Sequence, residues 1–275
     1  MTRVGFIGLG SQGAPMARRI VDEGYALTLW ARREASIKPF RDTPATVAST
    51  PADLGTASEV VGICVVNDDD VEDVLLRPDG VLAGMAAGGV IAIHSTIRPE
   101  TCLRIAETAG QHDVALVDAP VSGGGVAASE HRLLVMVGGA DDDVARCRAI
   151  FETFADPVIH LGPLGSGQLA KLLNNLVFTA QVAAALDTYA FAGALGMDRA
   201  AVAQVLAHGS GGSRAADIIA ATSFDTSGLS QVALPLLRKD VGIMLDVARA
   251  LGVDGPASLV GLADRALALL DEREG

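Results

Sequence analysis

The stretch Arg3-Val4-Gly5-Phe6-Ile7-Gly8-Leu9-Gly10-Ser11-Gln12-Gly13 decides the fold. Residues 3–7 read as a short apolar strand, and from Ala14 onward apolar residues recur at helical spacing. Between them residues 8–13 carry the G-x-G-x-x-G spacing. A strand feeding a glycine turn that opens a helix is the context in which this pattern cradles a dinucleotide. Gly8 permits the tight turn, Gly10 lets backbone approach a pyrophosphate, and Gly13 lets helix and strand pack closely, while the helix N-terminus offers N–H donors. Leu9, Ser11 and Gln12 complete the expected cofactor turn. The competing reading is that these glycines only shape a turn.

A second strand is expected over residues 26–30. Where it ends, an NAD-preferring site would present an Asp or Glu to the ribose hydroxyls. Ala31, Arg32 and Arg33 stand there instead. A guanidinium pairs with the extra phosphate of NADP through charge-assisted hydrogen bonds, so NADP is expected and NAD remains possible. Alternatively Arg32 and Arg33 are solvated charges and Glu34 reaches the ribose.

Further outward, strands are expected over residues 60–65, 90–94, 115–118 and 133–137, separated by helical patterns. The runs at 60–65 and 90–93 are almost unbroken apolar sequence, as expected when helices cover both faces of a parallel sheet. Residues 1–162 therefore read as an α/β domain with a doubly wound, Rossmann-like parallel sheet. After Gly162-Pro163 the strand pattern stops. A long helix over about residues 165–196, with Gly193 and Gly196 marking its end, begins an all-α domain over 163–275. Further helices are expected over 200–207, 214–221, 232–251 and 256–272. No repeat at a fixed period is evident.

The chain has 275 residues, half of them hydrophobic and 20% charged, which excludes a disordered or collagen-like chain. Its formal charge of −12 disfavours nucleic acid. Cys64, Cys102 and Cys147 are odd in number and far apart, so reduced thiols are expected, with neither a disulfide framework nor a metal knuckle. His94, His160 and His208 lack metal-like spacing, and no metal is expected. Gly5, Gly8, Gly10 and Gly13 would break the apolar helix of a signal peptide, so a cytoplasmic protein is expected. The uncharged run 172–186 is shorter than the ~20 apolar residues of a spanning helix, and no membrane segment is expected. The Ala- and Leu-rich faces of the helical half point to a homodimer or homotetramer.

Two further stretches, Asp118-Ala119-Pro120-Val121-Ser122-Gly123-Gly124 and Gly167-Gln168-Leu169-Ala170-Lys171-Leu172-Leu173-Asn174-Asn175, closely resemble the substrate and catalytic motifs of the β-hydroxyacid dehydrogenases. That family includes 3-hydroxyisobutyrate dehydrogenases and small semialdehyde reductases. His94-Ser95-Thr96, Pro99-Glu100-Thr101 and Lys239-Asp240 extend the resemblance, in order, over nearly the whole chain. It implies hydride exchange between nicotinamide and a small 3-hydroxy acid, with a carboxylate-bearing molecule as the partner. Lys171 is then the general acid/base, a role that needs hydrogen-bond reach to the reacting oxygen. Its apolar neighbours favour the neutral amine. Read without the resemblance, Lys171 is as well a surface lysine with its stem packed down.

Asn175 lies one helical turn beyond Lys171, on the same face, and is expected to orient the substrate or the lysine, whereas Asn174 points elsewhere. Ser122, Gly123 and Gly124 offer a hydroxyl and open backbone amides to a substrate carboxylate. The resemblance places Thr96 at the nicotinamide end of the cofactor and Val66, Asn67 and Asp68 beside its ribose. It brings Lys239 toward cofactor and substrate.

The chain departs from the family's usual pattern at Gln12 (Met), Ala31 (Asn), Ala127 (Gly), the pair His131-Arg132 (Gly-Thr) and Val232 (Phe). The smaller Val232 leaves room for a larger or more apolar substrate. An imine reductase is the enzymatic alternative, disfavoured by the retained Lys171. A cofactor-binding module without catalysis is the other.

Overall fold

The structure, a computed structural model, describes residues 2–271. Nine strands are described: β1 (Arg3–Ile7), β2 (Ala26–Trp30), β3 (Thr46–Val47), β4 (Val60–Ile63), β5 (Val90–Ile93), β6 (Ala115–Asp118), β7 (Val121–Ser122), β8 (Leu133–Val137) and β9 (Ala155–His160). The helices among them are α1 (Gly13–Asp22), α2 (Pro51–Ala57), α3 (Asp68–Leu76), α4 (Val81–Gly84), α5 (Pro99–Gly110), α6 (Gly124–Ser129) and α7 (Asp141–Phe151). After β9 come α8 (Ser166–Ala194), α9 (Arg199–His208), α10 (Arg214–Ala221), α11 (Leu234–Ala250) and α12 (Ala257–Asp271).

Six strands form one parallel sheet in the order β3-β2-β1-β4-β5-β6. This is the doubly wound arrangement, with the order reversing between β1 and β4. Side chains along the central strands alternate between two cores. Val4, Phe6, Val60, Val90 and Ala92 pack with Met16, Ala17 and Ile20 of α1 and with Phe151 of α7. Ile7, Val61, Ile63, Ile91 and Ile93 pack with Leu54 of α2, Val71 and Leu75 of α3 and Ile105 of α5. Burial on both faces is what the unbroken apolar runs require. The strands at β4 and β5 stop at Ile63 and Ile93, short of the expected 65 and 94. The chain there turns into the loops that carry Val65, Asn67 and Thr96.

Residues 133–137 form β8, but not in the main sheet as the sequence suggested. β8 pairs antiparallel with β7 and parallel with β9, and Asp118 bridges Gly138 in antiparallel fashion. A parallel return needs a crossover of about a dozen residues, usually with a full helix. Here much of the connection is spent on β7 and its turn, leaving the six-residue α6. β9, not anticipated from sequence, contains Pro157, a residue tolerated at a sheet edge.

The chain divides into two compact units, Met1–Lys171 and Leu172–Gly275, and the division falls inside α8. The first turn of that helix belongs to the sheet-bearing unit. In the second unit Val182, Leu186 and Tyr189 of α8 pack with Ile219 of α10, Leu237 of α11 and Leu270 of α12. By length and composition α8 could span a membrane, with a mean hydropathy of 1.3 over its most apolar window. Half of that window is buried inside the protein. The expected helix over 232–251 is divided, a π-helical turn at Leu229–Ala233 preceding α11.

Candidate active site

The glycine turn joins β1 to α1. Gly8 has φ +98°, and a Cβ there would lie 2.1 Å from the Cys64 carbonyl oxygen. A Cβ on Gly13 would lie 2.0 Å from the Gly8 carbonyl oxygen, whereas one on Gly10 meets nothing within 4 Å. Gly8 and Gly13 therefore build the turn, and Gly10 leaves space beside the backbone. Helix α1 has no acidic residue in its first turn, and Gln12 at its N-cap makes no side-chain capping bond. The Gln12 Nε2 is buried without a hydrogen-bond partner. The open space at Gly10, the unpartnered Gln12 amide and the absence of an acidic side chain in the first turn of α1 fit a dinucleotide pyrophosphate.

At the end of β2, Arg32 pairs with Asp70 at 2.6 Å and with Asp73 at 3.5 Å, both on α3. Arg33 is exposed, and Glu34 pairs with Arg41 at 3.4 Å. Past β4, Val66 is exposed, Asn67 caps α3 by accepting from the Asp70 N–H at 2.9 Å, and Asp68 accepts from the Arg98 N–H at 3.0 Å. Thr96 is half-buried in the loop after β5, and Ser95 Oγ accepts from the Val65 N–H at 2.8 Å.

Ser122 ends β7 and is half-buried, with exposed Gly123 and Gly124 following at positive φ. The next glycine carries information that the sequence did not reveal. A Cβ on Gly125 would lie 2.3 Å from the Ser11 carbonyl oxygen and 3.4 Å from Pro15 Cγ, so α6 packs backbone to backbone on the glycine turn. His131, where the family usually has Gly, sits at φ 58°, a conformation that glycine adopts without penalty. Arg132 pairs with Glu130.

Asp118 is fully buried, and its carboxylate accepts from the Gly165 and Gln168 N–H groups at 2.7 Å each. Burial holds this carboxyl above the ordinary carboxylate range, against the opposing effect of those hydrogen bonds. His94 is buried among Phe6, Phe151 and Phe154, and its Nδ1 donates to the Ala119 carbonyl at 2.8 Å. Desolvation pushes its pKa down to about 4, so the imidazole is neutral. Cys102 and Cys147 are buried and Cys64 is partly buried, all three with free thiols. Among the described residues no group of three or more His, Cys, Asp or Glu is placed to hold a metal.

Lys171 is half-buried on α8, at the end of the first unit. In the second unit Asn175 is buried and donates through Nδ2 to Asp240 Oδ2 at 2.5 Å. Lys239 Nζ lies 2.9 Å from Asp240 Oδ1, so the buried Asp240 joins two of the expected substrate residues. Its own part was not foreseen; the signal was its place in the Lys-Asp motif. Asn174 is exposed and donates to Asn175 Oδ1 at 3.0 Å. Val232 is exposed, in the turn before α11.

A doubly wound sheet with this glycine turn, followed by a helical unit in which buried Asn175 and Asp240 meet the half-buried Lys239, defines a nicotinamide-dependent dehydrogenase. Residues 3–162 match the NAD binding domain of 6-phosphogluconate dehydrogenase, and residues 165–273 match the NAD-binding domain of NADP-dependent 3-hydroxyisobutyrate dehydrogenase. A 3-hydroxyisobutyrate dehydrogenase of Pseudomonas aeruginosa is 31% identical over 93% of this chain and 88% of its own. An NAD-dependent L-serine dehydrogenase of the same organism is 30% identical over 96% of this chain and 91% of its own. Among solved structures, a Mycobacterium tuberculosis 3-hydroxyisobutyrate dehydrogenase with L-serine superposes with a TM-score of 0.83. It is 25% identical, over 99% of this chain and 94% of that one. The chain belongs to the β-hydroxyacid dehydrogenase family, as a nicotinamide-dependent 3-hydroxyacid dehydrogenase.

Proposed function

We propose that this enzyme transfers a hydride between NADP and a small 3-hydroxy acid or its semialdehyde, with Lys171 as general acid/base. Nicotinamide, when bound, takes or gives the hydride at the carbinol carbon. Lys171 holds the proton of the substrate oxygen, accepting it in oxidation and donating it in reduction. Ser122 and the amides of Gly123 and Gly124 bind the substrate carboxylate, while Asn175 and Lys239, both held by Asp240, orient the substrate. Thr96 lies against the nicotinamide end of the cofactor, and Val66, Asn67 and Asp68 border its ribose.

The observation that carries this reading is the backbone contact between Gly125 and Ser11, which sets the Ser122 loop against the cofactor turn. For NADP the support is the pair Arg32 and Arg33 with no carboxylate at the end of β2. Arg32 would exchange Asp70 for the 2′-phosphate, which lowers the discrimination against NAD without removing it. The protein acts in the cytoplasm as a homodimer or homotetramer, joined through the second unit, where Phe191, Leu195 and Val205 are exposed.

The test is an absorbance assay of the purified protein with NADP and NAD against L-serine, 3-hydroxyisobutyrate and bulkier 3-hydroxy acids. We expect higher kcat/KM with NADP and, because Val232 is small, with an acid bulkier than 3-hydroxyisobutyrate. Preference for NAD removes the assignment to Arg32 and Arg33. Turnover of 3-hydroxyisobutyrate that equals or exceeds the bulkier acids removes the assignment to Val232.

A further inference from the structure

We propose that Gln168 is a positioning residue for the transfer step, locking Thr96 to the helix turn that leads to Lys171; this rests on Lys171 being the acid/base. The Gln168 side chain is fully buried. Its Nε2 donates to the Ser95 carbonyl at 2.8 Å, and its Oε1 accepts from the Ile97 N–H at 3.1 Å. One carboxamide thus grips the backbone on both sides of Thr96. The Gln168 N–H donates in turn to Asp118, which also holds Gly165 ahead of the helix. Loop and helix turn are tied at two points, both within the first unit.

Lys171 follows Gln168 by three residues on the same helix, a rise of about 4.5 Å. Whatever fixes Gln168 along the helix axis fixes the Lys171 backbone relative to Thr96. A side chain that only filled space could be Leu or Met, without the cost of burying a primary amide. The amide holds the loop on both sides of Thr96 and also meets the buried Cys102 thiol of α5. Reacting groups displaced by about 1 Å lose on the order of a hundredfold in rate. Loosening this grip is therefore read in the transfer step before it is read in cofactor binding.

The experiment uses the intact enzyme and the variants Gln168→Met and Gln168→Glu. Measurements are kcat, KM, the dissociation constant for NADPH, thermal unfolding, and the deuterium isotope effect with substrate labelled at the carbinol carbon. Gln168→Met is expected to lower kcat by about tenfold to a hundredfold and enlarge the isotope effect on kcat, with NADPH affinity within about twofold. Gln168→Glu still accepts from Ile97, but its second oxygen faces the Ser95 carbonyl and can donate only when protonated. Its kcat relative to the native enzyme is expected to rise as pH falls, whereas Gln168→Met shows no such trend.

A kcat within twofold of native in Gln168→Met, an unchanged isotope effect, or a loss matched by unfolding or by weaker NADPH binding overturns the proposal. So does a Gln168→Glu profile parallel to that of the native enzyme. Lys171→Met, run alongside, separates the two readings. If it keeps turnover, the acid/base assignment fails; if it is inactive while Gln168→Met is native-like, only the present inference fails.

Discussion

Individual side chains in this protein are best understood by what their burial requires of them. His94 shows this clearly, since three phenylalanine rings and one carbonyl surround it and its pKa falls to about 4. In the unfolded chain a histidine titrates near ~6.5, so between that pH and about 4 the unfolded state binds a proton that the folded state refuses. Stability from this residue is complete above the unfolded value and is lost as pH falls toward the folded one. The difference is on the order of 3 kcal/mol. Urea unfolding across that window should show a shallower acid-side decline for His94→Asn, which keeps a donor for Ala119, than for the native protein. Equal slopes would mean that the imidazole is not held neutral. This role was not legible in sequence, because a lone histidine after a strand looks alike whether buried or exposed, whereas Asp240 did carry a signal in the Lys-Asp motif. The glycine turn was legible because its backbone geometry leaves a pattern in the letters, whereas Lys171 was singled out by the family resemblance, the letters alone showing only a solitary lysine in an apolar run.

Among the elements, the long apolar ones declared themselves and the short ones did not. Helix α10 lies where residues 214–221 predicted it, and β1, β2 and β6 match their expected spans. By contrast β3 and β7 have two residues each, too few to show a period of two, and β9 is interrupted by proline. The placement of β8 depends on pairing across the chain, which local pattern does not encode. Contact between α6 and the glycine turn is of the same kind. Gly125→Ala would place a methyl group 2.3 Å from the Ser11 carbonyl oxygen, so α6 and the turn must separate. Overpacking of this sort costs about 1–3 kcal/mol, and the strain falls on the candidate substrate loop. We expect a higher KM for the hydroxy acid and weaker NADPH binding in a protein that still folds. Native values of both constants would show that the contact has no bearing on the site.

Across the whole molecule the sequence disclosed a doubly wound half and a helical half because the two halves differ in hydrophobic period, and the family matches cover them in turn. It did not disclose that the division lies inside α8, since a continuous helix carries no mark where its packing partners change. Lys171 stands at that point, the only charged side chain of α8 before Asp187. The proposed proton transfer depends on this amine more than on any other group. The decisive measurement is single-turnover hydride transfer by Lys171→Met with saturating NADPH, alongside an NADPH binding titration. Binding within about twofold of native, with transfer slowed by about 10²-fold or more, is the predicted result. Transfer at the native rate by a variant that binds NADPH normally would contradict it.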